Sequence, residues 1–139
     1  FTNYTSRKAE DLHDNPCAAL LFYWKSLSRQ IRIEGRVEKI DAAQSDAYFH
    51  SRPEISQLGA WASHQSQPLE SRSELLERVD MYKRKFDEAG HIDRPDHWGG
   101  YRVIPNRFEF WQAGEFRLHD RFVYLPDENG GWKIQRLNP

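Results

Sequence analysis

Thiols are almost absent from this 139-residue chain. Its single cysteine, Cys17, excludes an internal disulfide and fits a reducing compartment, with the cytoplasm the expected location. Burial on the apolar strand that follows is the expected fate of Cys17, rather than catalysis. Long apolar runs are also missing. None approaches the about 20 residues that cross a bilayer, and no leader peptide is read at the start, so no membrane partner is expected. The net charge of −1 leaves no broad basic field, so no nucleic-acid partner is expected and any anion site must be local. Neither a GxGxxG pattern nor a phosphate loop occurs, so a nucleotide, if held, is held in another way. The histidines show no metal-ligand spacing, and no metal is expected. No repeat or low-complexity segment interrupts the chain.

Aromatic residues are abundant. They make up 14% of a sequence only 38% hydrophobic, so large rings must supply much of the burial. The length allows one domain, residues 1–139. Strand-like runs dominate. Residues 18–24 form an apolar run of the kind buried on both sides. Residues 29–40 alternate around Ile31, Ile33 and Val37, with Gly35 marking a bulge or a close backbone approach. Residues 102–104 read as a strand ending before Pro105-Asn106, and residues 121–125 and 132–137 as a hairpin around Gly130-Gly131. Helices are inserted between these runs: residues 5–13 capped by Thr5 or Ser6, about 42–50 after Asp41, 56–62, and 72–89 between the Ser71 capping box and Gly90. The last is amphipathic and suited to packing on a barrel or a partner. Strands with inserted helices exclude a βαβ nucleotide fold and give a mainly β, barrel-like class.

Four groups of residues could carry chemistry. Arg7 and Lys8 stand in the first turn of a helix, where the dipole disfavours cations. An anion site and an ordinary exposed pair account for them equally well. Gln30 opens a strand, where it is a surface residue by default, although its amide can also read the edge of a heterocycle. Tyr48, Arg52 and Ser56 gather at a helix junction and could grip a phosphate monoester; a lone set of this kind is more often structural. Residues 109–121 hold the strongest signal. If 116–122 is extended, Arg117, His119 and Arg121 project from one face, as suits a planar or anionic ligand. A solvated hairpin face is the plain alternative.

Phe110-Trp111-Gln112, a short Gly-containing break and Arg117-Leu118-His119-Asp120-Arg121 together resemble pyridoxamine 5′-phosphate oxidase, a flavin enzyme family of vitamin B6 metabolism. The resemblance runs through Ser6-Arg7-Lys8, Arg29-Gln30, Tyr48-Phe49-His50-Ser51-Arg52-Pro53, Ser56-Gln57, Gly59-Ala60-Trp61, His64-Gln65-Ser66, Trp98-Gly99-Gly100 and Arg136-Leu137-Asn138-Pro139. It implies a split β-barrel of the FMN-binding type, working as a homodimer with FMN at the subunit interface. Position by position, Phe1, Thr2, Arg7, Lys8, Gln30, Gln65, Ser66, Trp111 and Arg121 match FMN contacts. Phe1 stands where the family usually has Tyr. Tyr48, Arg52 and Ser56 match the grip on the substrate phosphate, and Arg117 and His119 match the catalytic residues over the pyridine ring. The family also has a further N-terminal region with an Arg-x-Val-Leu-Leu-Lys-type segment. The chain is therefore expected to be N-terminally incomplete as a barrel.

The implied reaction oxidises pyridoxamine or pyridoxine 5′-phosphate to pyridoxal 5′-phosphate. Oxygen is the acceptor, hydrogen peroxide a product, and ammonia leaves when the amine is the substrate. The cofactor carries the difficult chemistry, which explains a sequence rich in anion clamps and rings without a nucleophile–base pair. His119 is a candidate proton acceptor, since an imidazole titrates near neutrality. Two other classes stay open: a flavin- or vitamer-binding split barrel without oxidase activity, and an interaction domain using the 71–90 helix.

Overall fold

The computed structural model describes residues 1–139. Seven strands and four helices follow one another: β1 (Thr2–Asn3), α1 (Arg7–Asp14), β2 (Cys17–Trp24), β3 (Arg29–Lys39), α2 (Ala42–His50), α3 (Glu54–Ala62), α4 (Arg72–Ala89), β4 (Trp98–Gly99), β5 (Tyr101–Gln112), β6 (Asp120–Pro126) and β7 (Trp132–Leu137). None of the helices is long and apolar enough to cross a membrane. Two compact units result, one from Phe1–Asn15 with Lys39–Arg102, the other from Pro16–Glu38 with Val103–Pro139.

The first unit is mainly helical. Its helices start where short polar side chains meet orphan backbone donors. Ser6 accepts from the Ala9 N–H, Asp41 from Gln44 and Ser71 from Glu74. Gly90 closes α4, as expected. The apolar face of α4 packs on α3, where Trp61 lies 5.5 Å from the Tyr82 ring and 5.3 Å from Phe86. Phe49, Ala60 and Trp98 form the buried centre, with Trp61 and Ile92 against it. The ribbon of β1 and β4, pairing Thr2 with Gly99 and Asn3 with Trp98, brings the chain's first residues to this centre.

The second unit holds a five-stranded sheet in the order β2-β3-β5-β6-β7. Gly35 of β3 faces the backbone of β5. A Cβ there would collide with the Ile104 carbonyl and stand 2.8 Å from the Pro105 Cα. The close approach expected from the glycine is therefore present, and it is made by backbone. The β6–β7 hairpin turns through Asp127, whose carboxylate accepts from the Asn129 and Gly131 N–H groups.

Three expectations change. Residues 18–24 do form a strand, but it is the sheet's edge and is exposed rather than buried on both sides: Leu21 is 62% exposed, and Leu20, Phe22, Tyr23 and Trp24 are also open. An apolar run records that a strand needs cover, not which chain supplies it. Cys17, at the head of that strand, is exposed for the same reason. Pro105 does not end a strand, because β5 runs unbroken from Tyr101 to Gln112. Pairing with β6 begins only at Phe108, so that flank of Pro105 has no ladder bond to lose.

Candidate functional site

In the first unit a pocket of about 260 Å3 is lined by Asn3, Arg52, Ser56, Gly59, Ala60, Ser63, Gln65 and Trp98. Arg52, Ser56 and Gln65, singled out from sequence, thus share one cavity. The Arg52 guanidinium lies over the Trp98 ring, 4.7 Å from its centroid. Its Nη1 is buried and has no hydrogen-bond partner. A buried donor without a partner costs free energy until an acceptor arrives. Ser56 stands in the first turn of α3; its own N–H donates to the Pro53 carbonyl at 2.8 Å, and its side chain lines the pocket beside Arg52. Tyr48 stacks on Phe1, with centroids 3.8 Å apart, and Phe1 in turn lies 5.4 Å from Trp98. The result is a flat aromatic wall beside a cation.

Gln65 is tied to β1. Its Oε1 accepts from the Thr2 hydroxyl at 3.0 Å and from the Asn3 N–H at 2.9 Å, leaving its NH2 hydrogens to point elsewhere. Ser66 follows at φ +70°. Arg7 and Lys8 are both exposed on α1, where Arg7 pairs with Asp11 along its own helix at 3.3 Å.

In the second unit Gln30 and Trp111 line a hollow of about 540 Å3 with mostly apolar neighbours, among them Trp24, Ile31, Phe110 and Phe122. Gln112 braces its rim. Its amide donates to the carbonyls of Leu27 and Ser28 and accepts from Arg29. The His119 ring lies 4.8 Å from the Trp111 ring, tilted by 47°. The expected continuous strand through residues 116–122 is absent. Residues 115–117 make a single 3-10 turn, with Phe116 and Arg117 at φ +53° and +66°, and β6 begins only at Asp120. Gly114 permits this, because a Cβ there would strike the Leu118 carbonyl. Arg117, His119 and Arg121 therefore do not share a strand face. Phe116 stands 90% exposed at the turn's apex.

The Gly114 N–H donates to Nδ1 of His119 at 3.2 Å. That nitrogen must be unprotonated, so the neutral ring carries its hydrogen on Nε2. The free edge of His119 is thus a hydrogen-bond donor.

Arg121 meets Glu109, a residue that the sequence reading passed over. Glu109 is 4% exposed. Its Oε1 accepts from Nε of Arg121 at 2.9 Å and from Nη2 at 2.7 Å. Its Oε2 accepts from Arg107 at 3.3 Å, with Arg32 3.9 Å away. A carboxylate between two phenylalanines, two positions from an arginine on the same strand, was the available signal. Burial alone would raise the Glu109 carboxyl. The hydrogen bonds from Arg121 and Arg107 and the charges of Arg121 and Arg32 outweigh it and hold the group below its ordinary 4.5. A lowered folded value stabilises the protein fully above the unfolded value and loses that contribution as pH falls through the folded one. In thermal melts from about pH 6 to about pH 3, the wild type should lose more stability below its ordinary 4.5 than E109Q does. Parallel curves would refute the coupling.

A family model described as pyridoxamine 5′-phosphate oxidase matches residues 1–84, and one described as the pyridoxine 5′-phosphate oxidase C-terminal dimerisation region matches residues 98–139. A pyridoxine/pyridoxamine 5′-phosphate oxidase of Bordetella petrii is 59% identical over 139 residues, covering all of this chain and 65% of the relative. One from Psychromonas ingrahamii is 61% identical over 140 residues, covering 63% of the relative. The chain thus spans a little under two thirds of these relatives' length. PhzG from Burkholderia lata, solved in complex with tetrahydrophenazine-1-carboxylic acid, superposes with a TM-score of 0.87 at 33% identity, over 99% of this chain and 66% of that one. A pyridoxamine 5′-phosphate oxidase-related, FMN-binding protein from Nostoc punctiforme superposes at 0.69 with 17% identity, over 99% of this chain and 70% of that one. The likenesses show the shared fold, mainly β with inserted helices, the split-barrel class expected from the sequence.

Proposed function

Because the chain belongs to the pyridoxamine 5′-phosphate oxidase family, we propose that it serves the FMN-dependent oxidation of pyridoxamine or pyridoxine 5′-phosphate to pyridoxal 5′-phosphate. One observation carries this reading: the buried, unpartnered Nη1 of Arg52, in a pocket with Ser56 of the first turn of α3. A phosphate monoester supplies the acceptors that this arrangement lacks, and a guanidinium fork suits it. Tyr48 closes the grip from the aromatic wall beside Phe1.

The donor set also fits FMN. Phe1, Thr2, Arg7, Lys8, Gln65 and Ser66 of the first unit, and Gln30, Trp111 and Arg121 of the second, offer cations and amides for a phosphate and ring edge, and rings for a flat face. Bound there, FMN would supply the redox chemistry: acceptance of a hydride from the substrate's 4′ carbon and reoxidation by oxygen with release of hydrogen peroxide. The chain's own residues bind and orient. Arg117 and His119 hold the substrate ring, with His119 donating through Nε2. Residues 1–139 act as one FMN-binding split-barrel domain, in a cytoplasmic homodimer with FMN at its interface. The exposed apolar side chains of β2 support a partner subunit.

A peroxide assay with a parallel measure of pyridoxal 5′-phosphate tests the reading. A yellow preparation that makes neither product is a binder and sinks the oxidase assignment; a colourless one sinks the flavin as well. Arg117→Met should lower turnover about tenfold, the worth of one charged hydrogen bond, while FMN retention stays near wild type. Equal loss of both would contradict the division of labour.

A further inference from the structure

We propose that Glu109 is a positioning residue for the cofactor, acting through Arg121. This rests on the assignment of Arg121 to FMN. A guanidinium has five N–H donors. In Arg121, Nε and one Nη2 hydrogen go to Glu109, and one Nη1 hydrogen goes to the Asn138 carbonyl at 3.0 Å. Three donors are thus committed within the chain, and one hydrogen on each terminal nitrogen remains. Those two lie in the guanidinium plane, on parts of the fork that the internal bonds leave open. The side chain has no rotational freedom left to lose on meeting a ligand, which is the benefit of a preorganised site.

Glu109 is itself fixed. Arg107 occupies its other oxygen, and Arg32 adds charge from β3. Arg32 and Arg107 also reach Glu34, so the network spans β3, β5 and β6. The sheet register explains the diagonal reach. Trp111 pairs with Arg121 across β5 and β6, and Glu109 lies two residues along the same face as Trp111. Glu109 thereby orients Arg121 beside the Trp111 ring. A carboxylate is required, because a neutral partner would leave three guanidiniums crowded with less compensation.

A double-mutant cycle tests this in the full chain, with FMN removed and its rebinding followed by flavin fluorescence. Glu109→Gln should weaken FMN binding about tenfold, the worth of one charged hydrogen bond. In an Arg121→Met background the same change should alter affinity less than about twofold, because the route is gone. An equal loss in both backgrounds, or none in the first, overturns the proposal. An Arg121→Met variant that binds FMN like the wild type overturns the assignment of Arg121, and the two failures are thereby distinguished. Should Glu109→Gln fail to fold, Glu109→Asp keeps the charge one methylene short. It should weaken FMN binding, and unchanged affinity would equally overturn the proposal.

Discussion

Arg52→Met should raise KM for pyridoxamine 5′-phosphate by about 10^2-fold or more while leaving KM for unphosphorylated pyridoxamine nearly unchanged. The magnitude follows from two charge-assisted hydrogen bonds of a bidentate guanidinium, each worth about 1.5–3 kcal/mol. The unpartnered Nη1 shows that no protein group already satisfies that donor, so the bond to a phosphate is gained rather than exchanged. Methionine keeps some of the contact with Trp98 and Phe49, which separates charge from packing. Arg52→Lys should fall between, since an ammonium is a point charge without a fork. The phosphorylated substrate alone should respond. If both substrates lose equally, Arg52 is a structural stack on Trp98 and the phosphate grip lies elsewhere.

Gly35→Ala should destabilise the protein by about 3 kcal/mol, near the upper end for an overpacked position. This is not a question of backbone conformation. The added methyl meets the Ile104 carbonyl and stands 2.8 Å from the Pro105 Cα, and neither can rotate away as a side chain could. Relief requires β3 and β5 to separate at the centre of the five-stranded sheet. For a chain of this size the melting temperature should fall by about 10 °C. Gly59→Ala is the control, because a Cβ there meets nothing within 4 Å. A drop for Gly59→Ala as large as for Gly35→Ala would show that steric collision at Ile104 is not the cause.

Local signals carried much of the architecture. Ser6, Asp41, Ser71 and Gly90 marked helix ends, because caps are chemistry between near neighbours. The glycine in β3 marked a close approach, because only a missing side chain allows it. What escaped depended on contacts distant in sequence or on another chain. The edge position of β2 could not be read from its apolar run, since composition is the same whether the cover is internal or supplied by a partner. The turn at residues 115–117 was hidden by Phe116, Leu118 and Phe122, whose alternation imitates a strand. Within the candidate site, Arg52 and Ser56 were legible as neighbours at a helix junction, and their pocket brings them together with Gln65. Glu109 was not, because a carboxylate gains its meaning from Arg121, 12 positions away.

The stack of Arg52 on Trp98 has an optical consequence. Indole emission responds to a charge resting on its face, and the guanidinium centre lies 4.7 Å from the ring centroid. An anion drawn to Nη1 would neutralise or shift that charge, so in a variant with the other four tryptophans replaced Trp98 would report occupancy of the pocket. Arrival of a ligand could thus be timed by light, before any chemistry begins.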